Sequence, residues 1–130
     1  MNIKILLVCL FFSRFALAEE LDCQNITVSA QVDECVKYAK ESADLKLNLA
    51  YKKLIARVKS QYDVDPALGD KLFAKLKASQ LAWIKLRDTN CPLEAFEIEE
   101  GKPAYITVVN NCIARMSLER SDYLDGTLKD

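Results

Sequence analysis

From Val32 to Val58 apolar residues fall at Val32, Val36, Ala39, Ala43, Leu47, Ala50, Leu54 and Val58, always three or four apart. A strand would repeat every second residue, so this rhythm draws one continuous stripe down an α-helix. The chain holds only three Gly and three Pro, which leaves long stretches without a helix breaker. The first helix is expected over Ser29–Gln61, with Ser29 as N-cap and Asp33 in the favoured first turn. Tyr38, Leu45, Leu49, Tyr51 and Ile55 widen its apolar surface, so a helix this long needs more than one packing neighbour.

Asp63-Val64-Asp65-Pro66 breaks the pattern. Asp65 can cap and Pro66 suits a first helical position, which starts a second helix running to about Thr89. Its stripe is Leu68, Leu72, Leu76, Ser79 and Trp83, flanked by Phe73 and Leu86, with Gly69 as a soft spot. So short a link makes the two helices antiparallel. Cys91 to about Tyr105 reads as a loop punctuated by Pro92, Gly101 and Pro103. A third helix is expected over Thr107–Leu124, using Val109, Cys112, Ile113, Met116, Tyr123 and Leu124, followed by a fraying tail from Asp125.

The N-terminus points to export. Lys4 precedes the unbroken apolar run Ile5–Phe12, and Ala16-Leu17-Ala18 offers the small residues a signal peptidase reads. Residues 1–18 are therefore expected to be a signal peptide cleaved after Ala18, leaving a domain over residues 19–130. The apolar run is too short to span a bilayer. A lipid anchor on Cys9 or Cys23 is disfavoured, because Val8 and Asp22 stand where a lipoprotein signal needs a small residue. Removing the segment takes away Lys4 and Arg14, leaving 16 basic against 19 acidic residues and a formal charge of −3. That balance argues against a nucleic-acid partner.

Four cysteines remain: Cys23, Cys35, Cys91 and Cys112. An even count in an exported chain reads as disulfides. Zinc is the rival, but there is no histidine and no C-x-x-C pair. Three pairings are possible. Joining sequence neighbours, Cys23–Cys35 and Cys91–Cys112, needs no long excursion, and each closed loop contributes about 3 kcal/mol in the chain-entropy picture. The expected fold is all-α, a compact antiparallel bundle of about three helices stapled by two disulfides.

Catalytic chemistry finds little to use. Without histidine there is no Ser/His, Cys/His or metal–His site, and no glycine loop cradles a phosphate. Nineteen acidic residues make some carboxylate pair inevitable, so a pair carries no information. The expectation is a binding protein without catalytic residues, metal or cofactor. Trp83, Arg87 and Asp88 cluster near the end of the second helix. They are read as a structural motif, Trp83 filling core and Arg87 pairing a carboxylate. The sharper reading is a recognition hot spot, in which Trp and Arg are enriched. Lys71, Lys75, Lys77 and Lys85 read as a solvated face, and Asn25-Ile26-Thr27 as a glycosylation acceptor relevant only to a eukaryotic route. The loop framed by Cys91 and Cys112 is the candidate binding loop, with Glu94, Glu97, Glu99, Glu100, Lys102 and Tyr105 as its chemistry.

These residues also form a pattern. It runs Cys23, Cys35, then Ala43-Asp44 with Leu47-Asn48-x-x-Tyr51-x-x-Leu54. Gln80-x-x-Trp83-x-x-x-Arg87-Asp88-x-x-Cys91 follows, and then Cys112 with Arg120 and Leu124. The chain thereby resembles the LprI-like lysozyme-inhibitor domain family of exported bacterial proteins, over nearly all of residues 19–130. One departure is Glu100-Gly101-Lys102-Pro103, where the family often has a Gly-Gly or Gly-Ser step. The resemblance implies a periplasmic or secreted protein that binds a protein partner, lysozyme, and protects peptidoglycan from muramidases. A second reading is an interaction or immunity protein against another envelope partner.

Overall fold

A computed structural model describes residues 21–129 of the chain. The expected signal peptide, with Cys9, lies outside the described residues. Three helices follow one another: α1 Ser29–Gln61, α2 Pro66–Glu94 and α3 Pro103–Gly126. Both disulfides join the expected neighbours, Cys23–Cys35 and Cys91–Cys112. Among the described residues no strand forms.

Helix α1 has its expected span but not its expected cap. Val28 is the N-cap, and Asp33 lies beyond the first turn. The Gln31 side-chain oxygen accepts the Thr27 and Val28 backbone N–H groups, at 2.8 and 3.2 Å, closing the entry from the other side. Helix α2 starts as its sequence demands. Asp65 Oδ1 accepts the Leu68 N–H at 3.1 Å, and Pro66 occupies the first turn. Gly69 is no soft spot, because a Cβ there would sit 3.0 Å from Tyr62 Cβ. The glycine lets the start of α2 close against the end of α1.

Two boundaries differ from expectation. Helix α2 continues past Thr89 to Glu94, carrying Cys91 and Pro92 inside it. Thr89 turns its hydroxyl back onto the Lys85 and Leu86 carbonyls. A proline in the last turn keeps a helical φ and forfeits one hydrogen bond without ending the helix. Helix α3 starts at Pro103, which is its first-turn proline rather than a loop residue. The connection therefore shrinks to residues 95–102.

Cross-helix pairs give the topology. Thr107 donates to Asp33 near one end, Ser117 to Asp44 in the middle, and Arg57 to the Leu124 carbonyl near the other end. Helices α1 and α3 thus run parallel, and α2 runs antiparallel to both. The most extensive helix contact is α1 with α3. Its buried residues are mostly small: Ala43 and Ala50 from α1, and Ala114, Ser117 and Ser121 from α3. Small side chains let two helix backbones approach closely. The apolar core continues through Leu47, Leu54, Val58 and Leu124, with Leu72, Leu76 and Trp83 of α2 packed against it.

The core face of α3 is thus rotated from the expected one. Val109, Ile113 and Met116 are half-buried and Tyr123 is exposed, while the serines at 117 and 121 point inward. The tail does not fray at Asp125. Arg57 donates to the Leu124 and Thr127 carbonyls at 2.6 and 3.2 Å, Gln61 donates to the Leu128 carbonyl, and Leu128 packs on the core. These bonds satisfy carbonyls that a helix C-terminus leaves without partners.

Candidate functional site

The Trp83–Arg87–Asp88 cluster is a clamp across all three helices. Arg87 Nη1 donates to Asp44 Oδ1 of α1 at 3.1 Å and to Ser117 Oγ of α3 at 3.3 Å. Its Nε and Nη2 each lie 2.9 Å from Asp88 Oδ1. The fully buried Ser117 hydroxyl also donates to Asp44, at 3.0 Å. Arg87 lies 5.3 Å from the Trp83 ring centroid and Arg120 lies 5.8 Å from it. Arg120 in turn donates to Gln80 and Ser79 of α2, and burial lowers its guanidinium pKa from the ordinary value. In this arrangement the polar groups spend their hydrogen bonds on one another. Ser117 carried no signal in the sequence, because a serine on a helix is informative only once its neighbours are known.

The candidate loop splits into three parts. Glu94 belongs to the last turn of α2 and is ion-paired with Arg115 of α3. Tyr105 belongs to the first turn of α3 and is half-buried. Only Glu97, Glu99, Glu100 and Lys102 stand on the connection itself, all exposed. Lys102 lies 3.6 Å from Glu99.

That connection is a chain of tight turns. Backbone N–H groups of Ala95, Phe96, Ile98 and Lys102 donate to the carbonyls of Pro92, Leu93, Ala95 and Glu99, at 3.2, 3.3, 2.9 and 3.2 Å. Gly101 takes φ +83°, a left-handed conformation that disfavours a side chain. Ala95 is fully buried, and the Cys91–Cys112 bridge ties the base of the turn to α3. The turn also presents Phe96, which sequence reasoning passed over because a five-residue stretch of mixed character has no readable period.

Hollows mark the surface of the described residues. One of about 640 Å³ lies beside the Cys23–Cys35 bridge, bordered by Tyr38, Lys46 and Leu118. Another, of about 330 Å³, lies where α1 turns into α2, against Tyr62, Gly69 and Phe73. A shallow one of about 210 Å³ borders Asp44, Asn48, Gln80 and Arg87. Among the described residues no cluster of His, Cys, Asp or Glu could hold a metal ion. No described helix is long and apolar enough to cross a membrane.

Comparison with known proteins follows the same outline. An uncharacterized protein of Rhizobium meliloti (strain 1021) is 31% identical over 120 residues, spanning 89% of this chain and 85% of that one. The crystal structure of a DUF1311 family protein from Pseudomonas putida KT2440 superposes with a TM-score of 0.69 at 32% identity. It covers 81% of this chain and all of the other. The family model described as lysozyme inhibitor LprI matches residues 22–124, which takes in all three helices nearly to the end of α3, both disulfides and the Arg87 clamp. The chain belongs to the LprI lysozyme inhibitor family.

Proposed function

We propose that this chain is an exported binding protein that inhibits a peptidoglycan muramidase and so shields the bacterial cell wall. Family membership over residues 22–124 carries the reading. The α2–α3 turn is the contact surface: it is preordered by its own hydrogen bonds and anchored by a disulfide. A muramidase cleft holds two carboxylates. Lys102, exposed at the α3 end of the turn, supplies a cation for them, with the Tyr105 hydroxyl three residues on. The reading includes removal of residues 1–18 as a signal peptide and residence in the periplasm or outside the cell.

The test is a titration of the oxidised protein beginning at Glu19 against muramidases of several classes, at low and moderate salt. Inhibition of one class with a measurable constant is the expected result. No inhibition of any class at high micromolar protein would overturn the proposal and favour another envelope partner, the runner-up reading. Lys102→Ala combined with Tyr105→Ala should weaken inhibition, and an unchanged constant would remove these two side chains from the contact.

A further inference from the structure

Phe96 is 83% exposed and Leu93 is 68% exposed. They are the most exposed aromatic and the most exposed leucine among the described residues. Both sit at the α2–α3 turn, on either side of a disulfide-anchored, hydrogen-bonded stretch that includes the fully buried Ala95. The backbone between them is already ordered, so presenting these side chains to a partner costs little further entropy. Aromatic anchors on preordered surfaces dominate binding energy in protein interfaces.

The charges around the pair name the kind of partner. Glu94 is paired with Arg115 and Glu99 with Lys102. Glu97 and Glu100 have no ion-pair partner among the described residues, so the rim of the apolar tip keeps an excess of negative charge. A predominantly cationic surface with an apolar notch is its complement, with Lys102 left to meet a local pair of carboxylates, and a uniformly anionic or nucleic-acid surface is not. Resting on the inhibitor reading, we infer that Phe96 and Leu93 are the apolar anchor of the complex. They seat in a notch on the basic face of the muramidase, while Glu97 and Glu100 steer its approach.

The experiment compares inhibition constants and association rates of wild type, Phe96→Ala, Leu93→Ala and Glu97→Gln/Glu100→Gln against the muramidase that wild type inhibits. Leu45→Ala, an equally exposed leucine on α1, serves as the control. Circular dichroism and melting should match wild type for the turn variants, because the removed atoms are in solvent. Phe96→Ala should weaken inhibition about 30-fold, Leu93→Ala about 5-fold, and Leu45→Ala not at all. The double Gln variant should slow association several-fold at low salt, with the difference vanishing by about 0.5 M salt and dissociation unchanged. If wild type inhibits while Phe96→Ala and Leu93→Ala do so equally well, the anchor is wrong and the inhibitor reading stands. An unchanged association rate in the double Gln variant would overturn the cationic partner. If wild type inhibits no muramidase, the inhibitor reading and the anchor fall together.

Discussion

Helices α1 and α3 are held to each other differently from the way α2 is held to either. The α1–α3 contact is close and extensive, with Ala43, Ala50 and Ala114 fully or nearly buried, Leu54 and Leu124 filling the space behind them, and the Thr107–Asp33, Ser117–Asp44 and Arg57–Leu124 hydrogen bonds added along its length. Helix α2 is 29 residues long, yet its only buried residues are Gly69, Gln80 and Cys91. Leu72, Leu76 and Trp83 lie half-covered on the core, and Leu81 and Leu86 face water. What fixes α2 is discrete: the Arg87 clamp, the Arg120–Gln80 pair and the Cys91–Cys112 bridge. Apolar packing is non-directional and tolerates sliding, whereas hydrogen-bonded groups and a disulfide fix register. The point anchors therefore set where the end of α2 delivers the turn that carries Phe96 and Lys102.

The contrast can be broken in graded steps. Leu54→Ala strikes the α1–α3 side and should cost about 3–4 kcal/mol by loss of buried surface plus an unfilled cavity, read from urea denaturation. A loss under about 1 kcal/mol would mean the shared core is not where the stability lies. Replacing Cys91 and Cys112 by alanine should cost about 3 kcal/mol. Hydrogen exchange should then rise most in the last turns of α2 and the connection, and much less along α1. Uniform acceleration in all three helices would refute separate modes of attachment.

Arg87→Met keeps much of the side-chain volume but removes the clamp. A cost of about 1–3 kcal/mol is expected, because buried Ser117 and half-buried Asp44 lose a partner. A cycle with Asp44→Ala should show coupling of at least about 0.5 kcal/mol, and additive effects would dissolve the clamp into separate contacts. Arg57→Ala should cost about 1 kcal/mol and free residues 125–129, visible as increased amide exchange there alone.

The smallest effect concerns the segment before α1. The Asn25 side chain and then the Gln24 N–H donate to the Asp22 carboxylate, which lowers its pKa below the ordinary 3.8. A carboxylate with a depressed folded-state pKa lends stability above its unfolded value and loses it as pH falls through the folded one. Titration followed by NMR should place Asp22 below 3.8, and Asn25→Ala should return it toward that value. Because Asp22 is fully exposed, global stability should barely respond.

Much of the architecture could be read along the chain. The three-and-four spacing from Val32 to Val58, the Asp65-Pro66 start of α2 and the neighbour pairing of cysteines are local signals, and each survives in the structure. The misjudged boundaries share a cause. Pro92 and Pro103 were read as breaks, but Pro103 stands in a first turn, where its missing N–H is not needed, and Pro92 lies inside α2 near its end, where the helix gives up one hydrogen bond and runs on to Glu94. The rotated face of α3 was hidden because Ser117 and Ser121 look polar until Asp44 and close packing account for them. In the α2–α3 turn, the carboxylates and Lys102 were legible as charges. Phe96 was not, since exposure is a property of the surroundings rather than of the residue.

Taken alone, the sequence determined three amphipathic helices, their order, two covalent ties and an acidic connection, because periodicity, caps and cysteine count are properties of short stretches. Only the tertiary structure decided that α1 and α3 share the close contact, that α2 hangs on Arg87 and a disulfide, and that Phe96 and Leu93 stand in water. Those outcomes depend on which residues meet across the bundle. Arg87 and Asp44 are 43 positions apart and Ser117 and Asp44 are 73 apart, distances over which no local pattern carries information.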